Sequence, residues 1–224
     1  SEQFELYSTA CTEVKASTLP EAACTETDNS IQVTGKTFAV HFDKLTGTIT
    51  SYIYNGQQLL EQGPLPNFRR APTDNDVGSR MFIKCKPWYD ASENRKVLSV
   101  TVDKTNTHAV KITVNFQFPD ANSEMTSVYT VTGKGDILVD NHLKSATTQP
   151  WIPRLGMNMR LSGTLNQVDW FGRGPFENYT DRKTAAFVGK YHTTTDEMYT
   201  SYIRPQENGY RSDVKWFAIS DGKS

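Results

Sequence analysis

From residue 31 onward the chain repeats one pattern: short runs in which apolar side chains take every second position, each closed by turn residues. Phe38, Val40 and Phe42 share one side of such a run, and residues 48–54 (TITSYIY) are mostly β-branched or aromatic. A period of two places alternate side chains on opposite faces of a strand, which a helix cannot bury on one side. Asn55-Gly56 is a hairpin signal, because both residues tolerate the positive φ that a tight turn demands. The stretches 43–47 and 133–136 (GKGD) read as further turns. Strands are predicted over residues 31–33, 38–42, 48–54, 97–103, 109–118, 127–131, 137–143, 150–159, 168–171 and 215–220, and Leu59 and Leu60 follow the Asn55-Gly56 turn. About ten to twelve short strands with no amphipathic helical stretch predict an all-β fold, a large antiparallel β-sandwich. Residues 81–96, with Trp88, Tyr89 and mixed charges, are the place for a short helix.

A chain of 224 residues, 37% hydrophobic, has room for one large domain or two small ones. Its net charge of −1 offers no basic patch for nucleic acid or an anionic membrane. No run approaches the roughly 20 apolar residues of a membrane span. No nucleic-acid or membrane partner is therefore expected. Cys11, Cys24 and Cys85 are odd in number and lack CxxC spacing, which argues against a disulfide framework or a zinc site. A Cys11–Cys24 bridge stays open. Residues 3–7 alternate as a strand would, whereas residues 8–30, rich in Thr, Ala, Ser and Glu, read as a linker.

Three stretches stand apart from this framework. Residues 170–182 read WFGRGPFENYTDR, and residues 202–216 read YIRPQENGYRSDVKW. In the first, Gly172 and Gly174 permit unusual backbone angles and Pro175 ends the strand. Both stretches crowd rings with charges of both signs. Such loops are either pinned internally by hydrogen bonds or poised at a binding surface. The third stretch, residues 64–78 (PLPNFRRAPTDNDVG), reads as a long irregular segment containing Arg70, Asp74, Asn75, Asp76 and Gly78. Its clustered Asp and Asn are oxygen ligands in kind. The EF-hand pattern nonetheless fails, because position twelve counted from Asp74 is Cys85 instead of Glu. No metal ligand is assigned, and a loop closed by Asx turns is the alternative.

These runs resemble the C-terminal domain, the fifth or small-chain domain, of the β-galactosidases of glycoside hydrolase family two. The resemblance rests on WFGRGPFENYTDR, then Ala185, Gly189 and Tyr191, then YIRPQENGYR, together with RAPTDNDVG at residues 70–78 and the Phe-Asp-Lys-x-x-Gly turn at 42–47. It covers residues 29–216. It implies a sandwich of the galactose-mutarotase type that continues for several more strands, so the chain reads as a fragment truncated at its C-terminus. Residues 1–28 would then be a remnant of the preceding domain plus a linker, and residues 29–224 the incomplete sandwich domain. Truncation leaves strand edges open, and self-association through them is expected. The resemblance further implies that the run 70–78 lies beside an active-site mouth, with residues 78–81 on the hinge side of a mobile loop. The partners implied are the other domains of a parent enzyme and its galactoside substrate. No cofactor is expected in this segment; Mg or Na belongs to other domains of the parent.

Retaining glycosidases use two carboxylates about 5 Å apart, and Glu177, Asp181 and Glu207 are the candidates by position. The competing role is ion pairing with Arg173, Arg182, Arg204 or Arg211. The resemblance favours pairing, because the family's catalytic glutamates lie on an upstream barrel. Arg173, Glu177, Asn178, Tyr179, Asp181, Arg182, Glu207 and Arg211 are accordingly expected to be structural, and no catalytic residue is assigned. Two other functions remain open. A mutarotase-like sugar epimerase would need a His acid/base, for which His41 and His142 are available. A carbohydrate-binding module would present exposed rings, drawn from Trp88, Trp151, Trp170 and Trp216. Asn178-Tyr179-Thr180 also fits the N-glycosylation acceptor pattern.

Overall fold

The computed structural model describes residues 18–146, 150–204 and 207–223. The expected strand at 3–7 and Cys11 lie outside them; Cys24 and Cys85 are free thiols. The chain divides into two compact units, one within Glu13–Arg70 and Met81–Ser162, the other within Ala71–Arg80 and Gly163–Ser224.

The first unit is an antiparallel sandwich. One sheet carries six strands: β1 (Ala23–Glu26), β2 (Ser30–Thr34), β3 (Phe38–Asp43), β4 (Thr48–Tyr54), β5 (Gln57–Asn67) and β10 (Gly156–Leu161), in that spatial order. The other carries β6 (Lys96–Asp103), β7 (Ala109–Phe118), β8 (Ser123–Thr132) and β9 (Ile137–Lys144) as a meander. The alternation legible in the sequence is the alternation of burial. Phe38, Val40 and Phe42 of β3 face inward, as do Ile112, Val114, Phe116 and Phe118 of β7. These residues form one apolar cluster with Ile31, Val33, Tyr129 and Val131. Tyr129 brings a hydroxyl into that cluster and donates it to the Pro64 carbonyl at 3.2 Å. Burial pushes its phenol pKa up to about 12, so it remains a donor at any ordinary pH.

Three departures from the sequence reading are instructive. Residues 23–26, expected within a linker, form β1 and pair with β2 from Ala23↔Thr34 to Glu26↔Ile31. Residues 64–67, expected to be irregular, continue β5. The two prolines are tolerated there because the backbone pairing of β4 with β5 runs only as far as Leu60, so residues 64–67 are in strand register with β10 alone, while Thr48 of β4 reaches the Pro64 carbonyl through its side chain. Asp74–Gly78 is a helical turn, α1, in the second unit.

The place predicted for a short helix holds two, α2 (Met81–Lys84) and α3 (Lys86–Ala91). Trp88 of α3 is fully buried against Phe68 and donates its indole N–H to the Pro150 carbonyl at 2.8 Å.

In the second unit three strands form a sheet, with β11 (Gln167–Gly174) flanked by β12 (Phe187–Thr194) and β13 (Trp216–Ser220). The fold is all-β and antiparallel, sandwich-like as the strand pattern predicts.

Candidate functional site

The two dense motifs meet in the second unit, and the residue that joins them is Asn178. It is fully buried. Its Oδ1 accepts from the Ser212 backbone N–H at 2.9 Å and from the Ser212 hydroxyl at 2.5 Å, while its Nδ2 donates to the Phe176 carbonyl at 3.1 Å. Its own backbone N–H reaches the Tyr210 carbonyl at 3.0 Å. One amide side chain thus satisfies polar groups on both loops, with Asn178 and Ser212 both buried. The Asn-Tyr-Thr tripeptide that fits a glycosylation acceptor therefore begins at a residue with no accessible side-chain atom surface to offer.

Gly172 and Gly174 have a different purpose from the one expected. Neither lies in the positive-φ region. A Cβ on Gly172 would sit 2.7 Å from the Val214 Cα, and one on Gly174 would sit 2.7 Å from the Tyr191 ring. The glycines allow close approach of neighbouring chain, which is the second physical use of a missing side chain. Cis Gly174-Pro175 then turns the chain out of β11. Beside this turn, Trp170 packs on Tyr191 and donates its indole N–H to the Arg173 carbonyl at 3.0 Å.

Charged groups complete the clamp. Arg173 donates through Nε to Asp213 at 2.6 Å and through Nη1 to the carbonyls of Lys183 and Ala186. Lys183 reaches the same Asp213 carboxylate at 3.1 Å. Hydrogen bonds from Arg173 and then Lys183 hold the Asp213 pKa below its ordinary value. Asp213 adopts φ +52°, a left-handed conformation unusual for a side-chain-bearing residue.

Glu177 accepts from Arg182 at 2.7 Å through one oxygen and from the Tyr202 hydroxyl at 2.5 Å through the other. Its side chain is 4% exposed. The carboxylate acceptor, followed by burial, raises the Tyr202 phenol pKa. Burial works against the Arg182 charge, but Tyr202 and Glu177 outweigh it and the guanidinium pKa rises. The same guanidinium lies over the rings of Tyr179 and Tyr202, at 5.4 and 5.6 Å. Tyr179 donates to Glu207 at 2.9 Å and meets Tyr210 edge-on. Arg211 lies over Trp170 at 5.5 Å, its pKa lowered by burial. Asp181 makes an exposed contact with Arg182 at 3.5 Å.

Chemically, this arrangement is a lock. Glu177 uses both oxygens internally, leaving no open face for an acid or base to meet a substrate. Ser212, Asp213 and Tyr202 were not singled out from sequence, although they carry as much of the clamp as Asn178 does. For Ser212 and Asp213 the available signal was the polar and charged run at 211–213, shortly before the strand β13.

The run 70–78 is split between the two units. In the first, Arg70 donates to the Met81 sulfur at 3.7 Å, and its carbonyl accepts from the Tyr89 hydroxyl at 3.2 Å. In the second, Thr73 and Asp76 cap α1 reciprocally. The Asp76 carboxylate accepts from the Thr73 N–H at 2.9 Å, and the Thr73 hydroxyl accepts from the Asp76 N–H at 3.4 Å. Asp76 is buried by this role, whereas Asp74, Asn75 and Gly78 are exposed. Asp74 lies 3.8 Å from Arg204, with both side chains mostly in solvent. Among the described residues, no group of three or more His, Cys, Asp or Glu is placed to hold a metal ion.

His41 lies on the outward side of β3, between inward Val40 and Phe42. His142 lies on the outward side of β9, next to inward-packed Leu143. The two side chains therefore lie on the outward sides of strands in different sheets. Of the tryptophans, Trp88 and Trp170 are core residues, while Trp151 is 55% and Trp216 44% exposed.

The chain was compared with known proteins. The family model described as "Beta galactosidase small chain" matches residues 34–224. A β-galactosidase of Priestia megaterium is 34% identical over 98% of this chain and 21% of its own length. Those of Halalkalibacterium halodurans and Clostridium acetobutylicum are 33% and 35% identical, over 87% and 75% of this chain and 19% of their own lengths. The chain thus spans about a fifth of the length of the curated relatives it matches. With its strand framework and paired motifs matched from residue 34 to residue 224, the chain belongs to the β-galactosidase small-chain family.

Proposed function

We propose that this chain is a non-catalytic part of a β-galactosidase, a retaining glycosidase that removes terminal β-D-galactosides. Its task there is to rim the active-site cleft and to contribute to carbohydrate binding. The observation that carries this reading is the family match over residues 34–224 to proteins named β-galactosidase that are about five times longer. The internal engagement of Glu177 and Glu207 supports it, since the motif carboxylates serve the clamp. Substrate chemistry, and any Mg or Na, is assigned to other domains of the parent, which are this chain's principal partners. Exposed Asp74, Asn75 and Gly78 on α1 are the residues assigned to the cleft rim.

The test has two parts. The purified chain is assayed with a chromogenic β-galactoside and is expected to show no turnover. Turnover that co-purifies with the chain and disappears in Glu177→Gln would overturn the non-catalytic assignment. In the full-length parent, Asn75→Ala is expected to raise KM severalfold at unchanged thermal stability. An unaltered KM and kcat removes α1 from the rim.

A second reading, a sugar-binding module without chemistry, is favoured by the exposure of Trp151. It predicts that galactose quenches tryptophan fluorescence in the isolated chain and that Trp151→Phe abolishes the change.

A further inference from the structure

Asparagine followed by glycine is a reactive dipeptide, because the glycine nitrogen can close on the asparagine side chain and no Cβ on the glycine obstructs the approach. The sequence holds two such pairs, Asn55-Gly56 and Asn208-Gly209. They sit in opposite surroundings. Asn55 and Gly56 make up the whole loop between β4 and β5, since Tyr54 pairs with Gln57. Both have positive φ, +49° and +78°, as a two-residue hairpin turn requires. Both are exposed, and a Cβ on Gly56 would meet nothing within 4 Å. The Asn55 N–H donates to the Thr37 carbonyl at 2.7 Å, but among the described residues nothing hydrogen-bonds the Asn55 carboxamide.

Asn208-Gly209 lies in the clamp. The Asn208 Oδ1 is closed off from solvent. On one flank Glu207 accepts from the Tyr179 hydroxyl at 2.9 Å, and on the other the Gly209 carbonyl accepts from Arg211 Nη1 at 3.0 Å. A Cβ on Gly209 would collide with the Met198 carbonyl, so this glycine cannot swing without displacing its neighbour. Ring closure at Asn208 therefore requires the clamp to open first, whereas the hairpin turn has no packing to undo.

We propose that Asn55 is a site of spontaneous deamidation and backbone isomerisation, and that the fold shields Asn208 from the same reaction. The Gly56 nitrogen gives up its proton to solvent base and attacks the Asn55 Cγ. A bond forms between them, the Cγ–Nδ2 bond breaks, and the side-chain nitrogen leaves as ammonia, which closes a five-membered succinimide. Water then opens the ring. Attack at Cγ leaves an ordinary aspartate, and attack at the main-chain carbonyl leaves an isoaspartate, in which the chain runs through the former side chain. No oxidant or reductant is consumed. The isoaspartate adds a methylene to the main chain of a two-residue loop, whose length fixes the register of β4 against β5. The modification therefore acts on strand pairing at the tip of this hairpin as well as adding a negative charge.

The test is incubation of the purified chain at mildly alkaline pH, followed by proteolysis and peptide mass spectrometry. Each event replaces a carboxamide by a carboxylate, which shifts the mass of its peptide. Asn55 is expected to convert at least about tenfold faster than Asn208, the ratio reflecting the extra free energy of opening the clamp. The rate should rise with pH, and an isoaspartyl methyltransferase should label the isoaspartate fraction at position 55. Hydrogen exchange at residues 52–58 should be faster in the labelled fraction. In concentrated urea the two sites should convert at similar rates. Asn55→Gln, which would have to close a larger ring, should remove the fast conversion with an unchanged far-ultraviolet spectrum. An intact Asn55, equal rates in the folded chain, or aspartate without isoaspartate overturns the proposal. A ratio that survives in urea also overturns it, because the fold then has no part in the difference. None of these outcomes depends on galactosidase activity, so the proposal and the functional reading fail separately.

Discussion

The sandwich unit and the clamp unit are held together by different physics. In the sandwich, aromatic and aliphatic side chains from two sheets are excluded from water, and the buried Tyr129 hydroxyl finds an acceptor in the Pro64 carbonyl. In the clamp, the residues lost to solvent include Glu177, Asn178 and Ser212, and each is defined by its partners. Apolar burial is non-directional and tolerates small errors of placement. A buried amide shared by two loops does not, since every partner left unpaired carries its full desolvation cost. The sandwich is therefore a scaffold, whereas the clamp fixes two loops in one conformation.

That contrast can be broken most violently from the apolar side. Trp88→Ala should destabilise the chain by about 3–5 kcal/mol, as truncation of a large core aromatic does, read from urea unfolding. Asn178→Leu should cost about 2–3 kcal/mol, because the Ser212 N–H and hydroxyl stay buried without their acceptor. Its signature should be local, with faster hydrogen exchange in β11 and β12 and unchanged exchange in β7 and β8. Equal acceleration in both units would erase the distinction drawn here.

Acid and salt sharpen the comparison further. The Asp213 carboxyl titrates below its ordinary value of 3.8 in the folded state, so the unfolded chain binds the proton more readily. Stability from this group is complete above the unfolded value and is lost as pH falls through the folded one. Exchange in the clamp should accelerate over that acidic window, and Asp213→Asn should flatten the response. Added salt should act in the same direction on the exposed pairs of the clamp, with little effect on the sandwich. Smallest of all is Gly78→Ala. A Cβ there meets nothing within 4 Å, and replacing a helical glycine should raise stability by about 0.5–1 kcal/mol, visible as a slight rise in melting temperature.

Most of the sandwich was legible in the sequence because a period of two is a direct image of a half-buried strand. Residues 48–54 and 109–118 were read to the residue. Strand β12 was missed since Phe187–Thr194 has no fully buried side chain, and so no apolar alternation to announce it. Helix α1 is too short to show a period; its only trace is the Thr73–Asp76 spacing of a reciprocal cap. The clamp was legible as a concentration of unusual residues and as a family resemblance. Its connectivity was not. Nothing in spacing says that Asn178 meets Ser212 across 34 positions, or that Arg173 chooses Asp213 over Glu177 and Asp181.

The burial of Asn178 also bears on how the protein can be produced. A eukaryotic secretory host would meet Asn-Tyr-Thr on the nascent chain, before the second motif has been synthesised to cover it. A glycan placed on that amide nitrogen would occupy the position from which it donates to the Phe176 carbonyl, and the two loops could not then close. Synthesised material would split into an unmodified fraction that folds and a glycosylated fraction that does not. Thr180 is exposed and its side chain takes no part in the clamp. Thr180→Ala would therefore abolish the acceptor and recover yield while leaving every bond of Asn178 in place.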